Sequence, residues 1–280
     1  MDRLLSDEKR TELVELAKRI RRHIIKMTTE AGSGHPSSSL SAVELLVTLY
    51  FGGFLRYRPG EPGWPDRDRF ILSKGHAAPV LYAVLAEAGF FPVEQLWTLR
   101  RIGSPLEGHP NRKRLPAVEA STGSLGQGLS IGLGHALAAR LDGRKYRVFV
   151  LLGDGEIDEG QVWEAVAAAA KYRVGNLIAI VDHNGYQQTG PTREVLDLDP
   201  IPQKWSSFGW HTQEIDGHDL DAVAAAYSAA IETGDRPSLI VARTVKGKGI
   251  EAVLDELGDH NMHGKPLPKG AAEKALALLA

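Results

Sequence analysis

Three apolar runs constrain this chain more than any other feature: "YRVFVLL" (146–152), "LIAIVDH" (177–183) and "SLIVART" (238–244). Each is rich in Val, Ile and Leu without polar alternation, so neither face of such a strand is suited to water. A helical pattern over 160–173 separates the first two. A shorter strand pattern, "HTQEI" (211–215), and a helix near 219–233 precede the third. Apolar strands alternating with helices predict an α/β fold, a parallel sheet with helices on both faces. Upstream, helical stretches are expected near 6–30, 40–52, 76–88, 92–101 and 124–141. The Pro/Gly-rich "RPGEPGWPDRD" (58–68) reads as a loop within this helical portion, too short to divide domains. The expectation is one domain over 1–280, opening on a helix and closing on a short helical tail.

Composition removes several function classes. The 280 residues carry a formal net charge of −2, which makes no electrostatic case for nucleic acid or an anionic membrane. There is no cysteine, so disulfides, zinc–thiolate sites and thiol catalysis are excluded, which suits a reducing cytoplasm. No apolar run approaches the roughly 18 residues that a membrane span requires. "RIRRHIIK" resembles part of a targeting helix, but Asp2, Asp7, Glu8, Glu12 and Glu15 precede it, and transit peptides are poor in acids. Leu13, Leu16, Ala17, Ile20, Ile24 and Met27 recur at helical spacing, which marks an amphipathic packing helix.

The first candidate site is "LLGDGEIDEG" (151–160), where a strand ends in a carboxylate between two glycines. In a parallel sheet, ligands bind beyond the C-terminal strand ends. Asp154 stands at one such end and Asn184, thirty residues later in "DHNG", at the next. Adjacent parallel strands would let the two side chains converge on an incomplete, all-oxygen shell suited to Mg²⁺ or Ca²⁺. Gly153 and Gly155 allow a phosphate close to the backbone, and a helix beginning near Gly160 adds its positive end. Gly-Asp-Gly equally suits a tight turn before a helix, so spacing leaves both readings open.

Histidines supply the second signal. His35, His76, His109, His135 and His218 each follow a glycine, and His263 precedes one. His135, within "GLGHALAARL", and His218, in the turn "EIDGHD", read as structural. His35, His76, His109 and His263 fall in expected loops, where functional side chains concentrate. Imidazole moves protons near neutral pH. "STGSLGQG" (121–128) is either a backbone cradle or a Gly-rich helix entry.

Taken together, these stretches resemble the N-terminal half of transketolase. "GDGEIDEGQVWEAVAAAAKYRVGNLIAIVDHN" is similar to the thiamine diphosphate motif, which closes on an asparagine about thirty residues after its GDG. "GSGHPSSSLSAVELL", "LSKGHAAPVLYAVLAEAGFF", "LEGHP" and "STGSLGQGLSIGLGHALA" resemble transketolase more specifically, over residues 30–265. The resemblance implies a thiamine-diphosphate-binding fold and a two-carbon ketol transfer from a ketose to an aldose, often as phosphates. It implies that Asp154 and Asn184 hold the metal through their side chains and Tyr186 through its carbonyl. Gly153, Gly155 and Glu156 would stand at the cofactor. His76, with the segment Gly123, Ser124, Leu125 and Gly126, would lie by its diphosphate and thiazolium. His35, His109 and His263 would face the sugar, and Glu159 would meet a counterpart across a subunit interface. A helix-dipole role would also account for Glu159.

Length departs from the pattern, because transketolases are more than twice as long. The part that binds the aminopyrimidine and carries the activating glutamate has no match here. The chain therefore reads as the diphosphate-binding subunit of a split transketolase, with a C-terminal, pyrimidine-binding partner in an α₂β₂ assembly. The alternatives are the α subunit of a 2-oxo acid dehydrogenase, a deoxyxylulose-phosphate synthase, and a non-catalytic cofactor-binding subunit.

Overall fold

The computed structural model describes residues 5–280; Asp2, invoked above against a targeting segment, lies outside them together with Met1, Arg3 and Leu4. Seven strands run in chain order: β1 (Arg69–Leu72), β2 (Val148–Gly153), β3 (Leu177–His183), β4 (Tyr186–Gln187), β5 (Gly190–Pro191), β6 (His211–Asp216) and β7 (Ser238–Arg243). Five form one parallel sheet in the order β1-β2-β3-β7-β6, and β4 with β5 makes a small antiparallel hairpin beside it. The α/β expectation holds. The chain builds outward from β1 to β3, then returns from the far edge through β6 to β7. The β3–β7 boundary is therefore where strand order reverses, a place where parallel sheets open a crevice.

Side-chain alternation along the buried strands feeds two cores. Phe149, Leu151, Ile178, Ile180 and Ile240 face one side, which is covered by helices that include Asp7–Ala31, Val43–Phe51, Ala78–Glu87 and Leu220–Glu232. Val148, Val150, Leu177, Ala179, Leu239 and Val241 face the other, against helices Gln127–Leu141, Gly160–Lys171 and Ile201–Ser207. The first helix is set by local chemistry at both ends. Ser6 accepts the Lys9 N–H, Asp7 and Glu8 occupy the first turn, and Gly32 ends it in a left-handed conformation at φ 59°. Leu13, Ile20, Ile24 and Met27 are fully buried, so the packing-helix reading stands.

Three differences from the sequence reading concern the upstream half. β1 lies between the helices expected at 40–52 and 76–88, where no strand was expected; its four residues, "RFIL", are buried throughout and too few to show a period. The helix expected over 40–52 is Val43–Phe51, and a separate short helix, Pro36–Leu40, that was not expected precedes it. The segment at 92–101 holds only a short 3₁₀ turn, Val93–Thr98. Among the described residues no helix is long and apolar enough to cross a membrane.

Candidate active site at the C-terminal strand ends

Four of the five strands of the main sheet deliver a polar residue just past their C-terminal ends. β1 leads to Lys74 and His76, β2 to Asp154, β3 to Asn184 and β7 to Lys246. Register makes Asp154 and Asn184 converge. Gly153 pairs with Asp182 across the β2–β3 ladder, and the Asp154 N–H donates to the Asp182 carbonyl at 3.3 Å. Asp154 then accepts the Gly185 N–H at Oδ2 (2.6 Å) and the Gly155 N–H at Oδ1 (3.0 Å). Asn184 Oδ1 accepts the Tyr186 N–H at 3.2 Å.

These residues open onto a cavity of about 820 Å³. Of the residues proposed from sequence, His35, His76, His109, His263, Gly123, Leu125, Gly153, Asp154, Gly155, Glu156, Glu159, Asn184 and Tyr186 line it. Ser124 and Gly126 do not. Gly126 instead donates its N–H to Glu156 Oε1 at 2.9 Å. The Glu156 carboxylate also accepts the Ser73 hydroxyl (2.5 Å) and the Gly153 N–H (3.0 Å). Its work is to pin two loops together. Gly123, at φ +144°, lets the "STGS" loop pass against His109, because a Cβ there would come within 3.0 Å of the imidazole ring.

Three of the four loop histidines cluster. The ring centroids of His35, His76 and His263 lie 5.0–5.2 Å apart, although the residues come from widely separated loops. Burial, with help from neighbouring cations, lowers all of them: His35 to about 3, His263 to about 4, and His76 well below its ordinary value. Burial and Arg100 lower His109 as well. Neutral rings can each donate and accept one hydrogen bond, which suits the handling of sugar hydroxyls.

Two cations and an acid escaped the sequence reading. Lys74, at 1% exposure, donates to Asp182 Oδ2 at 2.5 Å and to the Ser38 carbonyl at 3.0 Å. Asp182 also accepts Ser41 Oγ (2.6 Å) and the Thr244 hydroxyl. Burial opposes its ionisation, but the charge and hydrogen bond of Lys74 outweigh this and keep Asp182 low. Lys246, 5% exposed, donates to Asn261 Oδ1 at 2.5 Å; burial, and then Lys74, lower its amine to about 8. Both signals were readable. Asp182 is an acid inside an apolar strand, and "TVKGKG" follows a strand end as "GDG" does.

Burial, and then the charge of Asp182, raise the Asp154 carboxyl. Among the described residues no lysine or arginine forms a salt bridge with Asp154; His183 Nδ1, 4.0 Å from its Oδ2, and the charge of Lys74 only partly offset the rise, so this carboxylate facing the cavity is poised for a cation. Asp154, Asn184 and the adjoining backbone carbonyls offer only oxygen donors, the set preferred by hard divalent ions. Among the described residues no three His, Cys, Asp or Glu form a metal-binding group, so any such ion depends on amide and carbonyl oxygens. Glu159 is exposed at the N-cap of helix Gly160–Lys171, yet its side chain makes no capping bond.

Comparison with known proteins now bears on this geometry. Residues 13–277 match the family model described as transketolase, thiamine diphosphate binding domain. The chain belongs to the transketolase family. It is 47% identical over 270 residues to transketolase-like protein 2 of Bos taurus, covering 95% of this chain and 42% of that one. The 6-deoxy-6-sulfo-D-fructose transketolase subunit SqwG of Clostridium sp. (strain MSTE9) is 43% identical over 255 residues, covering 91% and 92%. The transketolase structure from Campylobacter jejuni superposes with a TM-score of 0.89 at 30% identity, covering 98% of this chain and 43% of that one. This chain thus spans less than half of its longer relatives and nearly all of a relative that is named a subunit.

Proposed function

We propose that this chain is the diphosphate-binding subunit of a two-component transketolase. In this reading it is one diphosphate-binding unit, and it transfers a ketol group between sugars or sugar phosphates together with a separate pyrimidine-binding partner. The observation that carries the proposal is the convergence of Asp154, Asn184, Lys246 and the cluster of neutral histidines on one cavity at the strand ends. The near-complete coverage of the SqwG subunit supports the split arrangement, with α₂β₂ as its simplest stoichiometry.

When bound, thiamine diphosphate supplies the carbanion chemistry that the protein's own side chains lack. Asp154 and Asn184, with the Tyr186 carbonyl, would hold Mg²⁺ or Ca²⁺, and the Gly153–Gly155 turn would let a diphosphate come close to the backbone. Lys246 adds a positive charge on the same wall. His76 stands nearest the buried end of the histidine cluster and would orient the reacting end of the cofactor. His35, His109 and His263 would exchange protons with sugar hydroxyls. A dianionic ligand raises the proton affinity of these rings and readies them to act as acids as well as bases. Glu159 is free to meet a partner-subunit side chain.

The test is a ketol-transfer assay with thiamine diphosphate, Mg²⁺, xylulose 5-phosphate and ribose 5-phosphate. It is run with this chain alone and with the product of the adjacent gene. Activity only from the pair supports the proposal. Activity from this chain alone, or none from a pair that binds cofactor, refutes the two-component transketolase as stated.

A further inference from the structure

Lys246 reaches the cavity from a short loop, Val245–Ile250, between β7 and the helix Glu251–Leu257. Three hydrogen bonds hold that loop from outside. The Val245 N–H donates to His218 Nε2 at 2.8 Å, the Gly247 N–H to the Ser37 carbonyl at 3.0 Å, and Arg21 Nε to the Lys248 carbonyl at 3.0 Å. Two of the three anchors meet at one carboxylate. Arg21 Nη2 lies 2.7 Å from Glu44 Oε2, and His218 Nδ1 lies 2.9 Å from the same oxygen.

The tautomer follows from the donors. Because Nε2 of His218 accepts an N–H, its proton sits on Nδ1 and is donated to Glu44. Burial works against the charge on Glu44, but the His218 hydrogen bond and the Arg21 charge hold its carboxyl below the usual range. The loop backbone also rests on Arg21: a Cβ on Gly249, at φ +91°, would come within 3.0 Å of Arg21 Cδ. Arg21 and Glu44 are only 5% and 8% exposed. A buried ion pair is a poor source of net stability compared with apolar packing, whereas it does fix geometry. Here the geometry fixed is that of one loop.

We propose that Glu44, acting through Arg21 and His218, is a positioning device that sets where the Lys246 ammonium stands in the cavity. None of the three lines the cavity. The Gly247 bond to Ser37 ties the same loop to the segment beginning at His35, and Ser37 Oγ donates to the carbonyl of Asn261, the residue that receives Lys246. The clamp therefore sets Lys246 relative to His35 as well as to the sheet. The ligand it serves, an anion at Lys246, rests on the diphosphate reading above; the clamp itself does not.

The test has two independent arms, the first on the full chain alone and the second on the full chain with its partner subunit. In the first, trace acetylation of the free chain is read by peptide mass spectrometry, with exposed Lys113 as internal reference. His218→Leu is expected to raise Lys246 labelling at least about fivefold by opening its loop, and His218→Gln, which keeps an acceptor for Val245, to restore protection. In the second, the dissociation constant of thiamine diphosphate with Mg²⁺ is measured by calorimetry. His218→Leu and Lys246→Met should each weaken it by about tenfold or more, the worth of one charge-assisted hydrogen bond, and the double variant no further. Unchanged Lys246 labelling in a folded His218→Leu chain, or fully additive losses, overturns the proposal. Should His218→Leu not fold, Glu44→Gln takes its place in the labelling arm with the same two outcomes. If wild type binds no cofactor, the diphosphate reading falls while the labelling arm still decides the clamp.

Discussion

Lys74 Nζ lies 2.5 Å from Asp182 Oδ2, and both side chains are sealed from solvent at 1% and 0% exposure. The pair joins the end of β1 to the end of β3 at the cavity floor, which Lys74 helps to line, with Ser41 and Thr244 completing the shell of Asp182. Removing one partner leaves the other charged and buried. Lys74→Met is expected to cost about 3–5 kcal/mol of stability, and Lys74→Met with Asp182→Leu markedly less. Urea unfolding curves of the three proteins check this. A loss under about 1 kcal/mol in the single variant would show that water reaches Asp182.

Asp154 should separate ligand binding from folding. Asp154→Ala is expected to abolish metal-dependent binding of thiamine diphosphate while leaving the ligand-free melting temperature equal to wild type or higher. The reason is that a buried carboxylate raised by burial and by Asp182 opposes folding when no cation is near. Calorimetric titration and a thermal melt suffice. Unchanged cofactor affinity removes Asp154 from the metal site.

His76→Ala should cost turnover more than stability. The ring is half-buried within the histidine cluster, and loss of a positioned acid–base group commonly lowers kcat by about 10²–10⁴. Turnover equal to wild type in the reconstituted pair would take His76 off the list of reacting groups.

The depressed histidines carry a pH signature. The folded-state values of His35 and His263, about 3 and about 4, lie below the ordinary 6.5, so between these limits the unfolded chain binds more protons than the native one. Native stability should therefore be full above pH 6.5 and fall as pH drops toward 4. In His263→Asn the stability lost between pH 7 and pH 5 should shrink, which urea midpoints measured at several pH values would reveal. An identical slope in the variant would mean that His263 titrates normally in the fold.

Glu159 is exposed and caps nothing, so Glu159→Ala should change the stability of the isolated chain by no more than about 0.5 kcal/mol. Under the proposed two-component arrangement, its effect would fall on assembly instead. Sedimentation of the variant with its partner is expected to show association weakened by about tenfold, as when an interface anchor is truncated. Undiminished assembly would leave Glu159 with no role at a subunit boundary.

Much of the candidate site was legible because its motifs are local. A glycine-flanked acid at a strand end and an asparagine one strand later must become neighbours once the strands are parallel, and the ladder between Gly153 and Asp182 makes them so. β1 was not legible, since four buried residues carry no period. Lys246 and Asp182 carry weaker local signals, a lysine in a glycine-containing segment past a strand end and one acid inside an apolar strand, and only the fold sets Lys74 beside Asp182 and Asn261 beside Lys246.

The sequence by itself determined the α/β class, the places of most loops of the candidate site and the absence of thiol chemistry, because these depend on short-range pattern and residue type. Tertiary structure alone decided which polar residues meet. His35 faces His263 at 5.0 Å, Lys74 pairs with an acid 108 positions away, and His218, read as a turn residue, holds the loop of Lys246. Such contacts depend on how the two layers of helices close over the sheet, and they form only when long-range packing has brought distant strand ends and loops to one edge.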